Sequence, residues 1–122
     1  MYGGNPTIPK HERLAPMPLS PYAASKLANE ALALSYQHAY GLPVLVFRFF
    51  NVYGPLQRAD HAYAAVVPKF IDAALAGRPL EVHGDGRQSR DFTFVRTVVR
   101  VLAEAATNRV HHDTAVNLAF GS

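Results

Sequence analysis

Apolar and polar positions change period several times along these 122 residues. Residues 3–21 show almost no periodicity and carry Gly3, Gly4 and five prolines from Pro6 to Pro21. Such a stretch reads as a long loop that must be pinned by whatever it lies against. Ser20 then offers an N-cap oxygen and Pro21 suits the first helical position. A helix is predicted from there to about Tyr40, where Gly41 can take the left-handed cap and Pro43 forbids continuation. Its apolar residues, among them Ala24, Leu27, Ala31, Leu32 and Tyr36, spread around most of its circumference. That distribution predicts burial on more than one side.

The run Pro43-Val44-Leu45-Val46-Phe47-Arg48-Phe49-Phe50 is nearly continuous in apolar character. Following a helix, it reads as a strand buried on both faces, as in a parallel sheet. A loop from Asn51 to Tyr63 follows, with Gly54-Pro55 as its turn signal, and then a helix from Ala64 to Ala76 stopped by Gly77 and Pro79. Leu80 to His83 reads as a short strand, Gly84-Asp85-Gly86 as a turn and Asp91 to Val95 as another strand. Thr97 to Asn108 forms the third predicted helix and Val116 to Leu118 the last strand. Helices alternating with strands make the class α/β.

Composition narrows this picture without changing it. A chain of 122 residues fits one domain, and 49% hydrophobic against 17% charged residues is a globular balance. The net charge of +3 comes from arginines scattered along the chain, so no nucleic-acid or membrane partner is expected. No apolar run is long enough to cross a bilayer. There is no cysteine, and Met1-Tyr2-Gly3-Gly4 does not begin a secretory signal, which together suggest a cytoplasmic protein. The six histidines lack ligand spacing, and no metal site is expected.

The chemistry centres on Tyr22 and Lys26. Residues i and i+4 share one face of a helix, and a cation beside a phenol favours the phenolate, giving a plausible proton shuttle. Taken by itself, the spacing is equally that of a packed tyrosine beside a solvated lysine.

Four ordered runs go further: Ser20-Pro21-Tyr22-Ala23-Ala24-Ser25-Lys26, Phe47-Arg48-Phe49-Phe50-Asn51-Val52-Tyr53-Gly54-Pro55, Pro68-Lys69-Phe70-Ile71, and Gly84 to Val95. In order and interval they resemble the extended short-chain dehydrogenases, specifically the NAD-dependent nucleotide-sugar epimerases and dehydratases, with UDP-glucose 4-epimerases nearest. The resemblance covers essentially the whole chain. It implies the C-terminal part of a Rossmann-like fold with part of the substrate domain, NAD as cofactor, a nucleotide sugar as substrate and homodimeric full-length relatives. Tyr22 is similar to the family's base, which takes the proton of the sugar 4-hydroxyl during transient C4 oxidation. Lys26 is similar to the residue that binds the nicotinamide ribose. The resemblance puts Phe49 beside the nicotinamide, Asn51 and Arg90 on the diphosphate, and Val82 and His83 against the base.

Simpler roles stand beside these. Arg90 can pair with Asp91 or Asp85, Asn51 can cap the turn before Gly54-Pro55, and Lys26 can form a surface pair with Glu30. Tyr2 and Tyr53 read as packing residues. A 4,6-dehydratase, or an inactive fragment acting as an interaction module, are the alternative functions.

Two departures from the family pattern matter. The glycine-rich fingerprint G-x-x-G-x-x-G and the catalytic Ser or Thr preceding Tyr2 are not in this sequence, and relatives continue past Ser122. The chain is therefore expected to be a fragment, poorly folded alone and a weak NAD binder, with its strand at 43–50 exposing an apolar edge. Arg96-Thr97 stands where many relatives carry acidic residues.

Overall fold

The computed structural model describes residues 1–60 and 65–120. Its elements are α1 (Pro21–Tyr40), β1 (Phe47–Phe49), β2 (Val52–Tyr53), α2 (Val66–Leu75), β3 (Thr93–Phe94), α3 (Val95–Thr107) and β4 (Val116–Leu118). The class is α/β. Two compact units divide the chain: Met1–Arg48 with Leu102–Leu118, and Phe49–Val101 with Ala119–Ser122.

In the first unit, α1 forms where its caps demand. Ser20 is extended and its side-chain oxygen accepts from the Ala23 N–H at 3.1 Å, Pro21 opens the helix, and Gly41 closes it at φ 66°. β1 pairs with β4. Ahead of β1, the Val44 and Val46 carbonyls accept from the His112 and Val116 N–H groups. The predicted strand at 43–50 is thus shorter than its apolar run. It is half-buried, not buried on both faces, and in a sheet of two strands it also keeps one edge unpaired by a strand. Helix α1 departs from expectation in the same direction: of its twenty residues only Glu30 is buried, while Leu32, Tyr36 and Tyr40 are exposed. The long loop before α1 is pinned as expected, by Asn117, which accepts from the Tyr2 hydroxyl and donates its N–H to the Glu12 carboxylate, and it also closes on itself. The Met1 carbonyl accepts from the Met17 N–H and the Met17 carbonyl from the Gly4 N–H.

The C-terminal end of α3 closes with a Schellman motif. The Val110 N–H bonds to the Ala105 carbonyl and the Arg109 N–H to the Ala106 carbonyl, with Arg109 at φ 52° where glycine is usual.

In the second unit, β2 and β3 pair in parallel, Val52 opposite Thr93 and Tyr53 opposite Phe94. Parallel pairing requires a long crossover, and here the intervening chain contains α2. Tyr53 packs against Phe94 and, edge-on, against Phe92. Pro68 lies in the first turn of α2, where no intrahelical N–H is needed. The predicted start of this helix at Ala64 lies outside the described residues. A β-carbon on Gly54 would lie 2.3 Å from a Val95 methyl, so the Gly-Pro signal reflects close approach as well as a turn.

Leu80 to His83 does not form the predicted strand. The segment has no regular secondary structure, is exposed, and joins no ladder among the described residues. The turn after it does form, with Gly84 and Gly86 at positive φ.

Candidate functional site

In the first unit, Tyr22 and Lys26 lie on the opening turns of α1. Tyr22 is 72% exposed, and the Lys26 Nζ sits 5.4 Å from the centre of its ring. Ser25, between them, donates its hydroxyl to the Tyr22 carbonyl. The helix therefore presents a phenol and an ammonium together to solvent, one able to exchange a proton and the other carrying three donors.

The alternative Lys26–Glu30 surface pair is not made among the described residues. Glu30 turns inward and is 7% exposed, gripped by Arg48, which is equally buried. Arg48 Nε donates to Glu30 Oε2 at 2.8 Å and Nη2 to Oε1 at 2.6 Å. Arg48 Nη1 also donates to the Tyr2 hydroxyl at 2.5 Å and, more weakly, to the Glu12 carbonyl at 3.4 Å. The Tyr2 hydroxyl in turn donates to Asn117 Oδ1 at 2.8 Å, and the guanidinium carbon lies 5.0 Å from the Tyr2 ring centre. The hydrogen bond to Glu30 raises the Arg48 pKa above arginine's ordinary value, with Tyr2 adding to it and burial opposing. Tyr2 therefore does more than pack.

This buried network was not anticipated. Its sequence signal was an isolated arginine inside the apolar run 43–50 and an isolated glutamate in the apolar stretch of α1.

In the second unit, Phe49 is half-exposed. Asn51 adopts φ 34° and donates its side-chain amide to the Asp91 carbonyl at 2.8 Å, while its own carbonyl accepts from Thr93. It thus anchors the start of the β2–β3 pair, its side chain bonding Asp91 rather than the turn before Gly54-Pro55. Val82 and His83 are exposed, and the His83 carbonyl accepts from Gln88 Nε2 at 2.6 Å across the turn. Arg90 is exposed and donates from Nη1 to the Ser89 carbonyl. A cavity of about 600 Å³ in this unit is lined by Tyr53, Pro55, Val67, Ile71 and Phe94 among others, and none of the expected site residues lines it. Among the described residues, no three His, Asp or Glu side chains cluster as metal ligands, and no helix is long and apolar enough to cross a membrane.

A family model described as the NAD dependent epimerase/dehydratase family matches residues 1–119. A probable UDP-glucuronate 4-epimerase of Rhizobium meliloti is 46% identical over 100 residues, covering 81% of this chain and 28% of that protein. Among solved structures, the UDP-N-acetylglucosamine 4-epimerase of Methanobrevibacter ruminantium, in complex with UDP-N-acetylmuramic acid, superposes with a TM-score of 0.92. It is 40% identical and is matched over 99% of this chain and 38% of its own. The UDP-glucose 4-epimerase of Thermotoga maritima, solved with UDP-glucose, gives a TM-score of 0.88 at 34% identity, over 99% of this chain and 38% of its own. The chain thus spans roughly a third of the length of these relatives. It belongs to the NAD-dependent epimerase/dehydratase family.

Proposed function

We propose that the protein carrying this chain is an NAD-dependent nucleotide-sugar epimerase of the UDP-sugar 4-epimerase type, with residues 1–122 supplying part of its catalytic domain. The observation that carries this reading is the exposed Tyr22 ring with the Lys26 ammonium 5.4 Å from its centre, at the head of a capped helix in a chain of this family. The donor set fits the cofactor, since an ammonium and a phenol suit a ribose hydroxyl and a reacting alcohol. In this reading Tyr22 and Lys26 hold the nicotinamide end and Phe49 borders it. When bound, NAD supplies a reversible acceptor for the hydride from the sugar.

Tyr22 takes the C4 hydroxyl proton at its Oη and returns it, and Lys26 offers a positive charge to the phenolate formed in that exchange. The exposed guanidinium fork of Arg90 suits a diphosphate, with Asn51 beside it in this role. Val82 and His83 border the base. A homodimer formed through the exposed side of α1 at Leu32, Tyr36 and Tyr40 belongs to this reading, as does a cytoplasmic location.

The test is to assay the intact protein on UDP-glucose, UDP-galactose, UDP-glucuronate and dTDP-glucose. Interconversion of a UDP-sugar with its C4 epimer is expected. Turnover of dTDP-glucose alone, with loss of water, would replace the epimerase with a 4,6-dehydratase. A biological role untouched by Tyr22→Phe would point to an interaction module.

A further inference from the structure

We infer that Glu30 and Arg48 are positioning residues: their buried pair sets the rotation of α1 about its axis, and so the direction in which Tyr22 and Lys26 face. The inference rests on the proton-transfer role proposed for Tyr22.

Tyr22, Lys26 and Glu30 follow one another at four-residue steps along α1. Each step turns the helix about 40° beyond a full turn and advances about 6 Å, so the three side chains form one slowly winding stripe. Its first two members, Tyr22 and Lys26, are exposed and its third, Glu30, is buried. Two turns further on, Gln37 also ties α1 to its unit, its amide oxygen accepting from the Val44 N–H and its Nε2 donating to Asp113 Oδ1; otherwise the helix meets its unit through half-buried apolar residues such as Leu27, Ala33 and Leu34. Apolar contact of that kind is non-directional and tolerates a small rotation of the helix. A planar guanidinium bonded to both carboxylate oxygens does not tolerate it, because one of the two bonds must lengthen.

The fork itself is held from behind. The Tyr2 hydroxyl and the Glu12 carbonyl both accept from Nη1. Asn117 fixes Tyr2 through its side chain and Glu12 through its backbone N–H, which donates to Glu12 Oε1 at 2.8 Å. The grip on α1 therefore draws on the N-terminal loop, β1 and β4 together. Its mechanical consequence is large. A rotation of about 10° at a radius of about 6 Å moves a side chain by about 1 Å, and a misplacement of that size can cost on the order of a hundredfold in rate. Stability alone does not explain the pair, since a buried ion pair is often no more stabilising than well-packed apolar residues of similar volume.

The experiment uses the intact protein and the UDP-sugar it turns over fastest. The double variant Glu30→Met/Arg48→Met replaces the ion pair with an apolar contact that has no preferred rotation. Its melting temperature should stay within about 5 °C of wild type. Its kcat should fall about 10- to 100-fold with KM changed less than about threefold. The midpoint of its kcat–pH profile should not move, because Tyr22 and Lys26 remain together on one helix. Arg48→Lys, which keeps the charge and loses the fork, should show a smaller fall in kcat of the same kind. A folded double variant with wild-type kcat would overturn the inference.

Should the double variant fail to fold, Tyr2→Phe decides. It removes one hydrogen bond from Arg48 and leaves the ring, and wild-type kcat in it also overturns the inference, whereas a fall of about threefold or more supports it. Tyr22→Phe is measured alongside. Full activity there removes the catalytic reading and this inference with it. A severe loss there, with none in the double variant, removes the positioning role alone.

Discussion

Tyr22 is exposed, and its hydroxyl makes no hydrogen bond among the described residues; its ring faces the Lys26 ammonium. A side chain so placed contributes little to folding, so its removal separates chemistry from stability. In the intact protein, Tyr22→Phe should lower kcat by about a hundredfold or more, while the melting temperature and KM stay near wild type. A variant that loses activity only because it melts earlier would contradict this. Glu30 is the opposite case. Four-residue spacing alone paired it with Lys26, but a carboxylate able to reach a buried guanidinium gains two charge-assisted hydrogen bonds in place of one screened surface contact. The shared face of Tyr22 and Lys26 was therefore legible, because it needs only one helix. It was not legible at Glu30, whose partner Arg48 lies eighteen residues away in another element.

Among the elements, α1 was readable to the residue because each end is fixed by local chemistry: a side-chain oxygen for an orphan N–H at Ser20, and a left-handed turn at Gly41. Ser20→Ala should cost about 1 kcal/mol in chemical denaturation, and an unchanged midpoint would mean the cap contributes nothing. The end of α3 offers the converse. Arg109 holds the left-handed position of a Schellman motif against the steric penalty of its β-carbon. Arg109→Gly should therefore stabilise the protein by about 1 kcal/mol, and a loss of stability would show that the arginine side chain outweighs its backbone strain. Strands were the weaker predictions. Apolar character located β1, β3 and β4, but strand length depends on which neighbour offers N–H and C=O groups. Leu80 to His83 meets no such neighbour and remains exposed chain.

At the scale of the whole chain, one contact joins residues 105 positions apart: the Asn117 N–H donates to the Glu12 carboxylate. That bond, with smaller help from the Arg48 charge, holds the Glu12 pKa below the ordinary carboxylate value. A lowered carboxylate pKa adds stability above the unfolded pKa, and that stability is lost as pH falls through the folded one. Wild type should therefore be more stable than Glu12→Gln near neutral pH, by a small margin because the carboxylate is exposed, and the gap should close on acidification through the carboxylate range. Melting curves of both proteins over that range check it; a gap that widens in acid would reverse the sign. Family membership was equally legible, since it rests on ordered motifs, each local, that a sequence displays directly. By itself the sequence determined the limits of α1, the turn at Gly84-Asp85-Gly86, the α/β alternation and the Tyr22–Lys26 face, because caps, φ requirements and i,i+4 spacing act within a few residues. Tertiary structure alone decided that Glu30 is buried and Lys26 exposed, that Tyr2 and Asn117 brace Arg48, and how far each strand extends. Those outcomes follow from desolvation and hydrogen-bond pairing between distant segments, which no local pattern encodes.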